Sequence, residues 1–292
     1  MWQHAETIFL SIVLESLPFI VIGALLSSFI QHLVPRRLLF RLLPKSRPLA
    51  VVYAAFLGFV FPVCDCGTVP VARSLIHKGM PVSAAITFVL AAPVTNPLTL
   101  AATYAAFGGR LNMLLIRLGA ALLISILIGW GLLFFRMEQS KRVESVGKMD
   151  EPTLSRHTTG KILSHALGEI FEVGVFVVVS AAVAAGIQTW LPTSAWESVG
   201  RHPILSVIAL MSLSVVLSLC AQADAFVARS LQGVTTGGAV VSFLLIGQMI
   251  DIRNLLLLPR AFDHRVVVFV FTLAFALVLL LGIGLNYAGF RL

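Results

Sequence analysis

The residues of this chain best suited to chemistry are three cysteines and the carboxylates beside them. Cys64 and Cys66 flank Asp65 in the run Phe61-Pro62-Val63-Cys64-Asp65-Cys66-Gly67-Thr68-Val69-Pro70, and Cys220 is followed by Gln222 and Asp224. Thiolates select soft or borderline ions such as Cu(I) and Zn, and trivalent arsenic is strongly thiol-seeking. Two sulfurs in a Cys-x-Cys loop face one ligand only if the turn is tight, which Gly67 permits. Three sulfurs with no histidine nearby make a poor closed tetrahedral zinc site, so Asp65 or Asp224 would have to add a fourth ligand. A lone cysteine is more often a small apolar filler. A repeat argues against that reading for Cys220: Val71-Ala72-Arg73-Ser74-Leu75 recurs as Val227-Ala228-Arg229-Ser230-Leu231, 156 positions on, and the same shift carries Cys64 onto Cys220.

The elements that position these residues follow from composition. The 292 residues are 58% hydrophobic and 12% charged, with a mean hydropathy of +0.97, against about 45–50% apolar and about 25% charged in soluble domains. An integral membrane protein is expected, and long Leu-, Ala-, Val- and Ile-rich runs point to an all-α polytopic bundle and not a barrel. The net charge of +8 sits in loops between apolar runs, the topogenic pattern, so nucleic acid is not an expected partner. Met1 to Thr7 carries no Lys or Arg and a spanning run follows, so the first span is expected to be retained.

Spans are expected at 8–30, 82–106, 111–135, 170–190, 238–258 and 266–288, the first carrying Glu15 and Pro18 and the second broken by Pro93 and Pro97. The polar stretch 136–163 reads as a cytoplasmic linker between an N-terminal repeat, 1–135, and a C-terminal repeat, 164–292. Glu15, Ile30-Gln31 and Pro35 match Glu172, Ile187-Gln188 and Pro192 at a shift of 157. The apolar run 49–63 covers only about 22 Å at about 1.5 Å per residue, against about 30 Å of hydrocarbon. Segments 49–79 and 204–233 are therefore read as re-entrant or broken-helix hairpins with the cysteines at their tips. Each half then has about three transmembrane helices, and an odd count inverts the second half. Counted this way, sixteen of the 21 Lys and Arg lie inside and five outside, namely Arg110, Arg117, Arg201, Arg229 and Arg291. Eight full transmembrane crossings are the alternative, and they put the two most basic loops on opposite faces, against the positive-inside tendency.

Irregular backbone survives in a membrane where it is buried in protein or lines a cavity, and inverted repeats bring broken helices together at the midplane. The expected substrate site therefore comprises Cys64, Asp65, Cys66, Cys220 and Asp224, with the intramembrane polar residues Thr95, Asn96, Gln248 and Asp251 beside it. Arg73 and Arg229 begin the segments leaving the tips, where they would pair with Asp65 and Asp224 or attract cargo. Asp251, Glu15 and Glu172 are candidates to carry coupled protons, since ionisable groups within spans are costly; Arg253 beside Asp251 favours a helix-end role for that acid.

The Cys64-Asp65-Cys66-Gly67 motif, Ala92-Pro93-Val94-Thr95-Asn96-Pro97 and Gly247-Gln248-Met249-Ile250-Asp251 resemble the YraQ-like permease family, which includes ArsP-type organoarsenical efflux permeases. The resemblance covers nearly the whole chain and departs from the commoner pattern at Gln248, where proline is frequent. It implies a multi-pass permease of the bacterial cytoplasmic (inner) membrane, not an enzyme. ArsP-type members imply export of trivalent organoarsenicals such as methylarsenite through cysteine coordination. Other members sit beside a small membrane companion protein and are associated with zinc-related roles. The leading expectation is a secondary transporter of a thiol-reactive metalloid or soft metal, which is cargo and not cofactor, held by Cys64, Cys66 and Cys220. Zinc permeation with a companion and a membrane thiol-disulfide oxidoreductase are the alternatives.

Overall fold

A computed structural model describes residues 2–33, 44, 46–60, 63, 65–135, 137, most of 167–182, 202–233 and 235–290. Of Glu15, Asp65 and Cys66 it describes the backbone alone; Cys64, Glu172 and nearly all of the 136–163 linker lie outside the described residues. Among the described residues every extended element is an α-helix. The first half contains α1 (Trp2–Leu33), α2 (Arg47–Val60), α3 (Asp65–His77), α4 (Val82–Thr95), α5 (Pro97–Ala106) and α6 (Leu111–Phe134). The described residues of 167–182 are helical. There follow α7 (Leu205–Leu217), α8 (Ala223–Ser230), α9 (Gly237–Met249), α10 (Ile252–Ala261) and α11 (His264–Tyr287). The succession α2 to α6 is thus repeated, helix for helix, by α7 to α11.

Helices α6 and α11, at 24 residues each, and the 25-residue run Gly237–Ala261 are long and apolar enough to cross a membrane; α4 and α5 together make a fourth candidate span, bent by 40°. The chain is a polytopic helical membrane protein. Leu115, Leu123, Phe134 and Leu280 are exposed on α6 and α11, which suits lipid-facing helices. By contrast every residue of α4 is buried, as is every residue of α9 after Gly237. These two helices pack on each other across the halves and form the centre of the bundle.

The short segments are short in fact. Helix α3 has 13 residues and α8 has 8, about 20 Å and about 12 Å at 1.5 Å per residue, well below the hydrocarbon thickness. In the first half α2 and α3 both pack on α4; in the second, α7 and α8 both pack on α9. Between halves α3 meets α10 and α5 meets α8, while α4 meets α9 and α6 meets α11. Each of these contacts has its counterpart when the halves are exchanged.

Small residues set the helix crossings, as expected where packing and not water drives association. A Cβ on Gly129 of α6 would overlap the Thr87 hydroxyl of α4 and Val51 of α2; a Cβ on Gly282 of α11 would overlap the Ser242 hydroxyl of α9 and Val207 of α7. The two nodes are equivalent in the repeat.

The expected span at 238–258 falls within the 25-residue run Gly237–Ala261, which breaks at Ile250-Asp251 because the Asp251 side chain accepts from Asn254 N at 2.6 Å and starts α10 afresh. One sequence expectation is corrected here. Arg117 is not an external loop charge, for it lies within α6 with 0% exposure.

Candidate functional site

The second hairpin tip, between α7 and α8, can be followed atom by atom. Ser218 ends α7 with φ of 45°, a left-handed conformation that non-glycine residues adopt at a cost. Its carbonyl accepts from Arg253 Nη2 at 2.7 Å, and its hydroxyl accepts from Ile252 N at 3.2 Å. Arg253 is in turn fixed by Asp251, Nε to Oδ2 at 3.0 Å. The start of α10 therefore clamps the near side of the tip. Beyond it the amide of Ala223 donates to Cys220 Sγ at 3.4 Å, and Asp224 enters the first turn of α8.

Asp224 is 2% exposed and is held from the other half of the molecule. Arg117 Nη2 lies 3.0 Å from Oδ1 and 2.9 Å from Oδ2, while Arg117 Nη1 donates to Thr103 Oγ1 on α5 at 2.6 Å. Gln248 Nε2, on the central helix α9, donates to Asp224 Oδ2 at 2.7 Å. One carboxylate thus joins α6, α8 and α9, and the guanidinium ties α5 to the same point. The charges cancel in place. Removing either partner alone would strand a buried ion, at a cost of about 3–5 kcal/mol.

At the first tip the side chains of Cys64, Asp65 and Cys66 are not described, but their mounting is. Asn96 caps α5 by accepting from Leu98 N at 2.9 Å, and its Nδ2 lies 3.5 Å from the carbonyl of Val63, the residue before Cys64. The break between α4 and α5 thus touches the first tip as the break between α9 and α10 touches the second. Asp65 begins α3, and Pro70 within that helix has no N–H to give the Cys66 carbonyl. Ser27 of α1 bonds the Pro70 carbonyl at 3.1 Å and the Ser74 hydroxyl at 2.8 Å, anchoring α3 to α1.

Measured against the sequence, the structure brings together Asp224 and Gln248, with Cys220 on the same tip. Asp251 is occupied in capping α10 and pairing with Arg253. Thr95 bonds back to Ala91 O at 3.1 Å and packs where Gly58 leaves room. Arg73 is half-buried on α3. Arg229 does not pair with Asp224: it is exposed and donates to Gln232, because α8 turns residue 229 outward while Arg117 already fills the carboxylate. Sequence reasoning missed Arg117 and Thr103. The signal was present, since Arg117 is the single charge in the 24-residue apolar helix Leu111–Phe134, and an intramembrane charge marks a functional candidate by default.

Comparison with known proteins bears on what such a site serves. The profile of ArsP_1, described as a predicted permease, matches residues 1–287. The chain belongs to this family. It is 39% identical over 281 residues to the UPF0718 protein YcgR of Bacillus subtilis, covering 94% of each chain. It is 37% identical over 262 residues to a Streptococcus mutans protein described as "Putative two-component membrane permease complex subunit", covering 88% of this chain and 87% of that one. It is also 32% identical over 108 residues to the UPF0718 protein YraQ of Escherichia coli, covering 37% and 31%. No solved structure matches.

Proposed function

We propose that this member of the predicted permease family is a secondary transporter of a thiol-reactive metalloid or soft metal, with Cys64, Cys66 and Cys220 as cargo ligands and the two halves arranged as inverted repeats that rock about the site. The observation that carries this reading is the buried Arg117–Asp224 pair, which docks the Cys220 tip of one half onto the other half at the bundle centre. A charge pair so placed is costly to bury and suits a moving joint better than a static core. Zinc held by Asp224 or Asp251 is disfavoured by the same geometry: both oxygens of each carboxylate are already committed to donors. The sulfurs are left as the softer ligands. The bacterial relatives support a cytoplasmic-membrane location, and the description of the Streptococcus mutans protein as a complex subunit supports a companion for this chain.

The test is a resistance and accumulation panel with methylarsenite, arsenite, Zn²⁺ and Cu⁺ in cells carrying wild type, Cys64→Ser/Cys66→Ser or Cys220→Ser. Wild type should alter accumulation of at least one thiol-seeking cargo, and the double variant should lose the effect. Equal behaviour of wild type and double variant for every cargo would overturn the site assignment. A dithiol that cycles to a disulfide during turnover would favour the oxidoreductase reading instead.

A further inference from the structure

Buried polar groups are almost always partnered, so those that are not partnered point to something else that satisfies them. Among the described residues five buried side-chain atoms have no hydrogen-bond partner: Thr99 Oγ1, Arg117 Nε, Gln222 Nε2, Gln248 Oε1 and Asn254 Oδ1. Two of the five belong to the side chains that grip Asp224, and two more lie on elements joined at that carboxylate. Arg117 Nε is the free edge of the guanidinium that grips the carboxylate, and Gln248 Oε1 is the free end of the amide that does the same. Thr99 lies one helical turn before Thr103, whose hydroxyl it receives on its carbonyl, and Gln222 is two residues before Asp224 on the tip. Thr99, Arg117 and Gln248 are each at least 99% buried.

The chemistry of this set is specific. Arg117 Nε and Gln222 Nε2 can only donate, Gln248 Oε1 can only accept, and the Thr99 hydroxyl can do either. The fixed charges already cancel between Arg117 and Asp224. Helices α5, α6 and α9 carry no Asp or Glu that would balance a bare dication here, and α5 and α9 no Lys or Arg that would balance an anion. The other titratable groups nearby point away: Tyr104 of α5 and Arg229 of α8 are exposed.

We propose that the second tip is a binding site for a small, uncharged, hydroxyl-bearing molecule, which offers both donors and acceptors to Thr99, Arg117, Gln222 and Gln248 and reaches them by a water-accessible route. This rests on the permease reading, and it specifies the form in which cargo enters the second half: as a neutral hydroxylated species, not as a naked cation.

The experiment uses the full chain in membrane vesicles, with the three native cysteines replaced by serine and a single cysteine introduced as Thr99→Cys or, separately, Gln222→Cys. Labelling by a small hydrophilic methanethiosulfonate reagent is measured, with Thr87→Cys, in the dry crossing of α4 with α6, as the inaccessible comparison. Both site positions should label at least tenfold faster than Thr87→Cys, and boric acid, the neutral trihydroxylated probe, should slow that labelling severalfold where Mg²⁺ does not. Failure of both site positions to label in protein that elutes as wild type overturns the proposal, as does labelling that boric acid leaves unchanged or that Mg²⁺ slows equally. Because labelling needs no native thiol, a protected site together with a wild-type chain that moves no thiol-seeking cargo would sink the transport reading alone. Cargo movement without labelling would sink this one.

Discussion

The joint between the halves predicts a specific pattern of non-additivity. Arg117→Gln removes the cation and leaves the Asp224 carboxylate buried with Gln248 as its remaining side-chain donor; Asp224→Asn leaves the guanidinium with Thr103. Each single change strands one ion and should cost about 3–5 kcal/mol. The double variant strands none. It keeps neutral hydrogen-bonding groups at both positions, and replacing a whole buried pair is often close to neutral, so it should lie within about 1 kcal/mol of wild type. Reversible unfolding in mixed micelles against increasing dodecyl sulfate, followed by far-UV circular dichroism, gives the three differences. Arg229→Gln serves as the control: exposed and bonded only to its neighbour Gln232 among the contacts described, it should change stability by less than about 0.5 kcal/mol. If the double variant cost the sum of the two singles, Arg117 and Asp224 would act independently and the joint would not exist.

Two further predictions follow from the packing and the caps. Gly129→Ala, with no room beside Thr87 and Val51, should destabilise by about 1–3 kcal/mol, whereas Gly119→Ala in the same helix meets open space and should be neutral or stabilising by up to about 1 kcal/mol, both read by the same unfolding assay. Asp251→Asn keeps an N-capping side chain and loses only the pairing with Arg253, so it should be less damaging than Asp251→Ala by about 1 kcal/mol, the usual worth of a cap; equal losses would show that the cap on α10 contributes nothing.

The sequence by itself determined the membrane setting and the doubling, because both are written in local composition. Runs of Leu, Val and Ala cannot be solvated wherever the chain goes, and the repeat of Val71–Leu75 as Val227–Leu231 foretold the helix-for-helix correspondence of α2–α6 with α7–α11. Short interrupted segments around Cys220 were legible for the same reason: an eight-residue helix cannot reach across hydrocarbon. Pairing was not legible. The guanidinium that meets Asp224 comes from 107 residues away, on the other half, while the arginine nearest in sequence, Arg229, turns outward. The repeat even misleads at this point. A shift of 156 from Asp224 falls on Thr68 and one from Arg117 falls on Leu273, so the ion pair has no counterpart to reveal it. Only the packing of α8 against α5 and α9 decided which charges meet, because burying a charge is tolerable only where folding delivers its partner.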